Sequence, residues 1–157
     1  MKKLFLMGAG LAIMAFTAQK AAAQDYQHAL GVRLGSRNGV NFKTFLNPDR
    51  ALDFNLNFRN YQSRKDVNLQ VLYEIHLPIQ NAPGLKWYYA AGGSLGSRKY
   101  NGMDGDLFLS ADGVIGLDYK FSQAPINLAL DWRPRFVLAP DQDVIGGDFG
   151  LAVRFTF

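Results

Sequence analysis

Cysteine is absent from this 157-residue chain, which excludes disulfide bonds, thiolate chemistry and a lipid-modified N-terminal cysteine. Charge is also scarce: Asp, Glu, Lys and Arg make up 19% of the residues, against 48% hydrophobic and 13% aromatic residues. No apolar run reaches the roughly 18 residues that indicate a membrane-spanning helix. The chain is therefore expected to form one domain with ample apolar material and without a bundle of membrane helices.

Residues 1–23 have the organisation of a secretory signal peptide. Two lysines after the first residue precede an apolar stretch over residues 4–16, and alanines at 21–23 form a small-residue cleavage site. That stretch is shorter than the roughly 20 residues of a spanning helix, so we expect cleavage rather than anchoring. The whole sequence has a formal net charge of +4, but the leader holds three of its lysines and no acidic residue. The mature chain is therefore close to neutral, and its charge does not indicate a nucleic-acid partner. The mature domain is predicted over residues 24–157.

Beyond the leader, apolar residues alternate with small or polar ones. The apolar track takes every second residue of 52–58, 67–77, 109–121, 126–132 and 145–157, and none of its members is charged. A period of two over such lengths indicates β-strands with one apolar face.

Three weaker stretches complete the set. They cover residues 28–36, 40–46 and 85–97, and turn-forming pairs such as Asn38-Gly39 and Pro83-Gly84 bound them. The sequence therefore predicts eight strands. They have 7–13 residues, close to the roughly nine that a tilted strand needs to cross a bilayer.

The decisive question is which face of these strands meets water. The polar track is rich in Gly, Ala, Ser, Asn and Asp with both signs of charge, which suits the crowded interior of a narrow barrel. Aromatic residues collect near both strand ends, as at membrane interfaces, among them Trp87, Tyr119 and Phe157 at one end and Phe58, Trp132 and Phe149 at the other. We therefore expect the apolar face to meet lipid. The alternative is a soluble exported lipocalin-like binder, with apolar side chains inward around a ligand.

Four segments carry a further signal: YEIHLP at 73–78, GLDYKF at 116–121, the run from Pro125 through LDWRP at 130–134, and the closing VRFTF at 153–157. With them, nearly all of the mature chain resembles the small eight-stranded outer-membrane β-barrel proteins of Gram-negative bacteria, particularly the uncharacterised Bacteroidetes type. The resemblance implies an all-β, antiparallel up-and-down transmembrane barrel in the outer membrane, present as a monomer. The closing alternation is similar to the signal read by the outer-membrane assembly machinery, a role that would fall to Val153, Phe155 and Phe157.

An even strand count with both chain ends in the periplasm sets the expected orientation. Periplasmic turns are then predicted at residues 47–50, 78–84 and 122–125. Outer loops are predicted at residues 36–39, 62–66, 97–106 and 139–144. These outer loops are short, which leaves little material for adhesion or receptor binding.

Inward-facing charges are the main candidates for chemistry. Glu74 and His76 lie on the same face of one strand and could in principle support general acid/base catalysis. An uncompensated charge inside a barrel costs several kcal/mol, however, so a paired ionic network is favoured. Its predicted members are Glu74, His76, Asp112, Asp118, Asp131, Arg133, Asp148 and Arg154.

The remaining charges and one proline are assigned to the outer rim. Five cations at the bases of outer loops are expected to contact lipopolysaccharide phosphates, unless they are simply solvated: Arg37, Arg64, Lys65, Arg98 and Lys99. Pro134 lacks a backbone donor, which predicts a bulge there or the end of regular pairing.

An outer-membrane enzyme acting on lipid or peptide, such as a hydrolase or acyltransferase, is the other alternative. Lipid chemistry at the outer rim needs a histidine there, but His28 and His76 both fall near the periplasmic ends. The acidic pairs at 104–106 and 141–143 sit beside turn-forming Gly or Pro and lack the ligand count of a calcium site. We therefore predict a structural or interaction role in the cell envelope, a lumen filled by side chains, and no cofactor or metal.

Overall fold

The computed structural model describes residues 26–157, and the regular secondary structure in that part of the chain is all β-strand. The predicted leader lies outside the described residues. No helix in that range has the length and hydropathy that crossing a bilayer demands. The strand segments are β1 (His28–Gly35), β2 (Asn38–Asn47), β3 (Arg50–Tyr61), β4 (Arg64–Pro78), β5 (Leu85–Tyr100), β6 (Asp106–Lys120), β7 (Ile126–Trp132), β8 (Arg135–Ala139), β9 (Asp143–Ile145) and β10 (Phe149–Thr156).

The segments close into a barrel. Strands β1 to β6 each pair antiparallel with the next strand in sequence, and β10 pairs with both β7 and β1. Strand β8 continues β7 along β6, and β9 pairs with β8, so that β7 with β8 forms the seventh crossing and β9 with β10 the eighth. The predicted fold is thereby confirmed: a closed eight-stranded antiparallel up-and-down barrel.

The two ends of the barrel differ. The near end carries both ends of the described chain and the turns that follow β2, β4 and β6; the far end carries the turns that follow β1, β3, β5 and β8. Strands β4, β5 and β6 have 15, 16 and 15 residues, against 8 in β1, so the wall extends furthest at the far end of β4–β6. The far-end turns are shorter than predicted because strand pairing continues through polar residues, as in the Asp66–Arg98 pair.

The irregularity expected at Pro134 lies partly elsewhere. Regular strand is interrupted between Trp132 and Arg135, but the register against β6 is the same on both sides, and the Gly113 amide donates to the Pro134 carbonyl at 2.9 Å. On the other side, Trp132 faces Phe149 and Arg135 faces Ile145, which places the extra residue of a bulge in the facing strand. The wall therefore accommodates the missing donor without ending its pairing.

Alternation places the apolar residues outside and the polar residues inside. Leu56, Val71, Leu117 and Leu151 are 37–44% exposed on the outward face, whereas Asp131 and Arg154 are 3% and 1% exposed. The interior also holds a small apolar cluster, which comprises Leu72, Tyr88, Ala90, Val114, Ala129 and Ala152. A soluble binder of an apolar ligand would need the opposite arrangement, because its large apolar side chains must surround the ligand.

Candidate functional site

The outward face carries charge only at its two ends. At the outward strand positions of residues 26–157, the Asp, Glu, Lys and Arg side chains are Arg50 beside a near-end turn and Lys65 and Lys99 beside far-end turns. Between them the surface is a band of exposed apolar and aromatic side chains, including Leu95 at 57% and Leu130 at 58% exposure. Such a band would be very unfavourable against water over this area.

Inside the barrel, one ionic cluster lies toward the near end and is centred on Lys43. Its ammonium Nζ lies 2.7 Å from Glu74 Oε2 and 3.2 Å from Asp118 Oδ2. Glu74 Oε2 also lies 2.8 Å from His76 Nε2, and Arg154 Nη1 approaches Asp118 Oδ2 at 3.6 Å. Lys43, Glu74 and His76 are fully buried, so the charges of Lys43 and Glu74 are stabilised by their partners rather than by water.

A second cluster crosses the middle of the barrel around Asp131. Arg33 donates to its Oδ1 at 2.7 Å, while Arg133 and the Tyr88 hydroxyl donate to its Oδ2 at 2.8 and 2.9 Å. Asp53 connects this cluster to the first, because its Oδ2 lies 3.5 Å from Arg133 Nη2 and 4.0 Å from Arg154 Nη2. Charges from seven strands, β1 to β4, β6, β7 and β10, are therefore joined in one network.

Further pairs continue the network toward the far end. Arg135 Nε donates to Asp112 Oδ1 at 2.8 Å, and Gln70 donates to Asp112 Oδ2 at 2.6 Å. Asp148 accepts from Arg33 at 3.1 Å and lies 3.8 Å from Arg37 Nε. Burial lowers the pKa of the Arg37 guanidinium, which lies in the turn after β1, and the Asp148 carboxylate opposes that shift.

The structure brings the inward charges predicted from sequence into one connected network that contains two clusters. Glu74 and His76 share the near-end cluster with Asp118 and Arg154, whereas Asp131 belongs to the central cluster. The prediction missed three members that anchor the clusters: Arg33, Lys43 and Asp53. Their inward parity was readable from Val32, Phe42 and Phe54 on the opposite face, but their partners lie on strands far away in sequence.

The five predicted phosphate contacts divide between the two faces of the wall. Arg37 is 3% exposed beside Asp148 inside the barrel, which corrects its assignment as a lipid contact. Arg64 and Arg98 also turn inward, where the Nε atoms of both lie 3.3 Å from Asp66 Oδ1. Of the five predicted contacts, only Lys65 and Lys99 are exposed on the outward face. The apolar alternation ends at Val67 and Ser97, so the sequence pattern does not separate these two groups.

The candidates for catalysis and metal binding lie either fully buried among side chains or at exposed turn positions. Glu74 and His76 are 0% exposed, and His76 stacks on Tyr88 with ring centroids 5.0 Å apart. The acidic pairs Asp104 with Asp106 and Asp141 with Asp143 lie at exposed positions by the far-end turns. Within residues 26–157, no group of three or more His, Asp or Glu side chains is arranged to hold a metal ion.

The residues that the resemblance assigns to an assembly signal form the outward face of the last strand. Val153 and Phe157 are 39% and 40% exposed, and the rings of Phe155 and Phe157 stack with centroids 6.4 Å apart. Val153 pairs in register with Val32 and Leu128, so this strand also closes the barrel.

Taken together, the closed antiparallel wall, the apolar outward band and the buried ionic interior define a class of protein, the small up-and-down β-barrels. Comparison with known proteins agrees with that class at the level of the fold. No protein-family model matches the chain, and no curated protein matches it by sequence.

Two solved structures illustrate the likeness. The N-terminal β-barrel domain of Pseudomonas aeruginosa OprF matches with a TM-score of 0.66 and 16% sequence identity, over 85% of this chain and 100% of that one. Neisserial surface protein A, NspA, matches with a TM-score of 0.61 and 15% identity, over 83% of this chain and 93% of that one. At these identities the likeness concerns the fold alone.

Proposed function

We propose that this protein is an outer-membrane β-barrel with a structural or interaction role in the cell envelope. The observation that carries the proposal is the distribution of charge. Outward strand positions of the described residues carry it only at Arg50, Lys65 and Lys99, while the interior holds paired carboxylates and guanidinium groups. Hydrocarbon is compatible with the apolar outward face but not with the charged side chains of the interior, whereas water would favour charged side chains on the outside.

The interior arrangement supports a barrel that does not act as a wide pore. Lys43, Asn41, Asn55, Gln70 and Arg133 are no more than 2% exposed, so the side chains leave little space for solvent at the middle levels. An eight-stranded barrel has an interior just wide enough for side chains to fill. Solute passage would require several buried ion pairs to separate at once.

A non-catalytic role is part of the same proposal. Glu74 and His76 are the best-placed acid/base pair, yet both are fully buried and Lys43 holds the carboxylate. A general acid or base must come within hydrogen-bond distance of a substrate, and the surrounding side chains block that approach. We further propose export by cleavage of the leader, insertion by the outer-membrane assembly machinery through the closing strand, and a monomeric state in lipid that includes lipopolysaccharide.

Fractionation of cells that produce the full chain tests the location. We expect the folded protein in the outer-membrane fraction, released by detergent but not by high salt or carbonate, because apolar contact with lipid does not depend on ionic strength. Folded protein that stays in the aqueous fraction without detergent would overturn the proposal and favour a soluble binder.

A further inference from the structure

The two lysines at the far end of the outward face occupy adjacent strands. Lys65 is the second residue of β4 and Lys99 is the second-last residue of β5, and the two are direct cross-strand partners. Both are exposed on the outward face. Like charges directly opposite each other in an antiparallel pair are destabilising, so this position requires an explanation.

The inner face of the same strand ends shows how such a conflict is normally resolved. There, Arg64 and Arg98 are also brought close, and both lie 3.3 Å from the carboxylate of Asp66. On the outer face, Asn60 on β3 pairs in register with Lys65, and Gly105 in the turn before β6 lies beside Lys99, since a Cβ added to it would be 2.7 Å from Lys99 Cγ. Neither is acidic, and within the described residues no carboxylate lies within ion-pair distance of Lys65 or Lys99.

We infer that Lys65 and Lys99 form a clamp for the phosphate group of a membrane lipid. Cross-strand partners have Cβ atoms about 4.5–5.5 Å apart, so two flexible ammonium groups can converge on one phosphate. The exposed amide of Asn60 lies beside Lys65 and adds a hydrogen-bond donor. Phosphate matches the site because it accepts several charge-assisted hydrogen bonds at once.

The surface below the clamp selects a lipid over free phosphate. Moving from the lysines toward the middle of the barrel, the outward side chains are Val67 opposite Ser97 and then Leu69 opposite Leu95, and the three apolar ones are 43%, 53% and 57% exposed. An acyl chain that lies along this surface places its headgroup at the height of the lysines. The inference rests on the proposed membrane location and narrows the partner there to a phosphate-bearing lipid, the class that includes lipopolysaccharide.

Titration of the detergent-purified full chain with two matched lipids tests the clamp. In mixed micelles, phosphatidic acid should bind, whereas a diacylglycerol with the same acyl chains and no phosphate should bind at least about tenfold more weakly. The variant K65Q/K99Q should lose that preference, and K65R/K99R should keep it because the charge is kept. The matched control is R50Q, which removes an outward cation at the near end and should leave the preference unchanged.

Three further arms keep the test decisive. Glycerol phosphate, which has no acyl chains, should bind far more weakly than phosphatidic acid; equal binding would overturn the assignment to a lipid. Raising the salt concentration should weaken the wild-type preference because the lysines are exposed, which provides a readout even if the double variant does not fold. Unchanged phosphatidic acid binding by folded K65Q/K99Q would overturn the clamp. If the wild-type protein fractionates with the membrane but shows no preference for phosphatidic acid over diacylglycerol, this inference is overturned and the proposed function is not.

Discussion

Asp131 is the residue on which the interior network most depends. Its two carboxylate oxygens accept from Arg33, Arg133 and Tyr88, side chains that come from three different strands or strand ends. Both guanidinium groups are at most 2% exposed. Removing one partner from a buried ionic cluster destabilises a protein far more than replacing the whole cluster by apolar residues, because the remaining charges cannot reach water.

We therefore expect Asp131→Ala to destabilise the folded barrel by about 3–5 kcal/mol. The measurement is urea-induced unfolding in lipid vesicles, followed by tryptophan fluorescence. Asp141→Asn is the control, since Asp141 lies in an exposed turn and its substitution should stay within about 0.5 kcal/mol. Equal stability of the two variants would show that the network contributes little.

Asn41 is a fully buried polar residue whose hydrogen bonds connect several strands. Its side-chain amide donates to Asp53 and Asn55, and its carbonyl oxygen accepts from Arg154 Nε. The sequence places Asn41 in the predicted strand 40–46, on the face opposite to Val40 and Phe42, but it does not show which groups the side chain binds. Its role depends on Arg154, a partner that lies on the last strand of the barrel.

At the scale of the strand, the outward face of β10 tests what that face meets. Leu151 is 44% exposed and lies between Leu34 and Leu130 in register, with the outward aromatic residues Phe149 and Phe155 on either side of it along the strand. A charged side chain at such a position is unfavourable in hydrocarbon but harmless in water.

Leu151→Arg should thus destabilise the barrel in lipid vesicles by about 2–4 kcal/mol. The same measurement on Asn60→Arg, at the far end of the outward face, should give a change of at most about 1 kcal/mol, since the cost falls near the interface. A neutral Leu151→Arg variant would contradict the assignment of this face to lipid.

The seam between β1 and β10 depends on a glycine. A Cβ atom on Gly31 would meet the Val153 carbonyl oxygen at 1.9 Å and the Arg154 Cα at 2.6 Å, and both are backbone atoms of the facing strand. The strands approach this closely only because no side chain stands between them.

Gly31→Ala should weaken closure of the barrel, with a loss of about 1–3 kcal/mol from forced displacement of the backbone. Closure can be followed by the migration of unheated samples on denaturing gels, where folded barrels run as compact species. Gly147→Ala is the matched control, because a Cβ atom on Gly147 would meet nothing within 4 Å. Similar behaviour of both variants would mean that the seam tolerates a wider spacing.

At the scale of the whole molecule, the number of strands limits the interior. An eight-stranded wall encloses a space that side chains can fill, and the buried network spans it from Lys43 near one end to Arg135 near the other. The long β4–β6 wall adds height on one side at the far end without widening the interior.

In a planar bilayer, the purified protein should therefore show no large, steady single-channel conductance. The control is the same preparation after Arg33 and Arg133 are both changed to Ala, which removes two large buried side chains and should raise leakage if it folds. A wide, stable conductance in the wild type would refute a closed interior.

Sequence alone determined the strands and their apolar face, because a period of two is a local property that strands of about ten residues express fully, whereas the transmembrane barrel class was implied by the resemblance to outer-membrane barrels. It also identified Asp112, Asp131 and Arg154 as inward charges. The strand ends at Tyr61, Arg64 and Tyr100 were less predictable, since paired charges extended them beyond the apolar pattern.

Only the tertiary structure decided which charges share a partner and which of the rim cations face out. Ion pairs such as Arg33 with Asp131 join residues 98 positions apart, so their formation depends on the register and tilt of every strand between them. Arg98 and Lys99 are neighbours in sequence, yet one binds Asp66 inside while the other stands on the outer surface. The physical reason is that strand geometry sends successive side chains to opposite faces, and closure of the wall makes one face an interior.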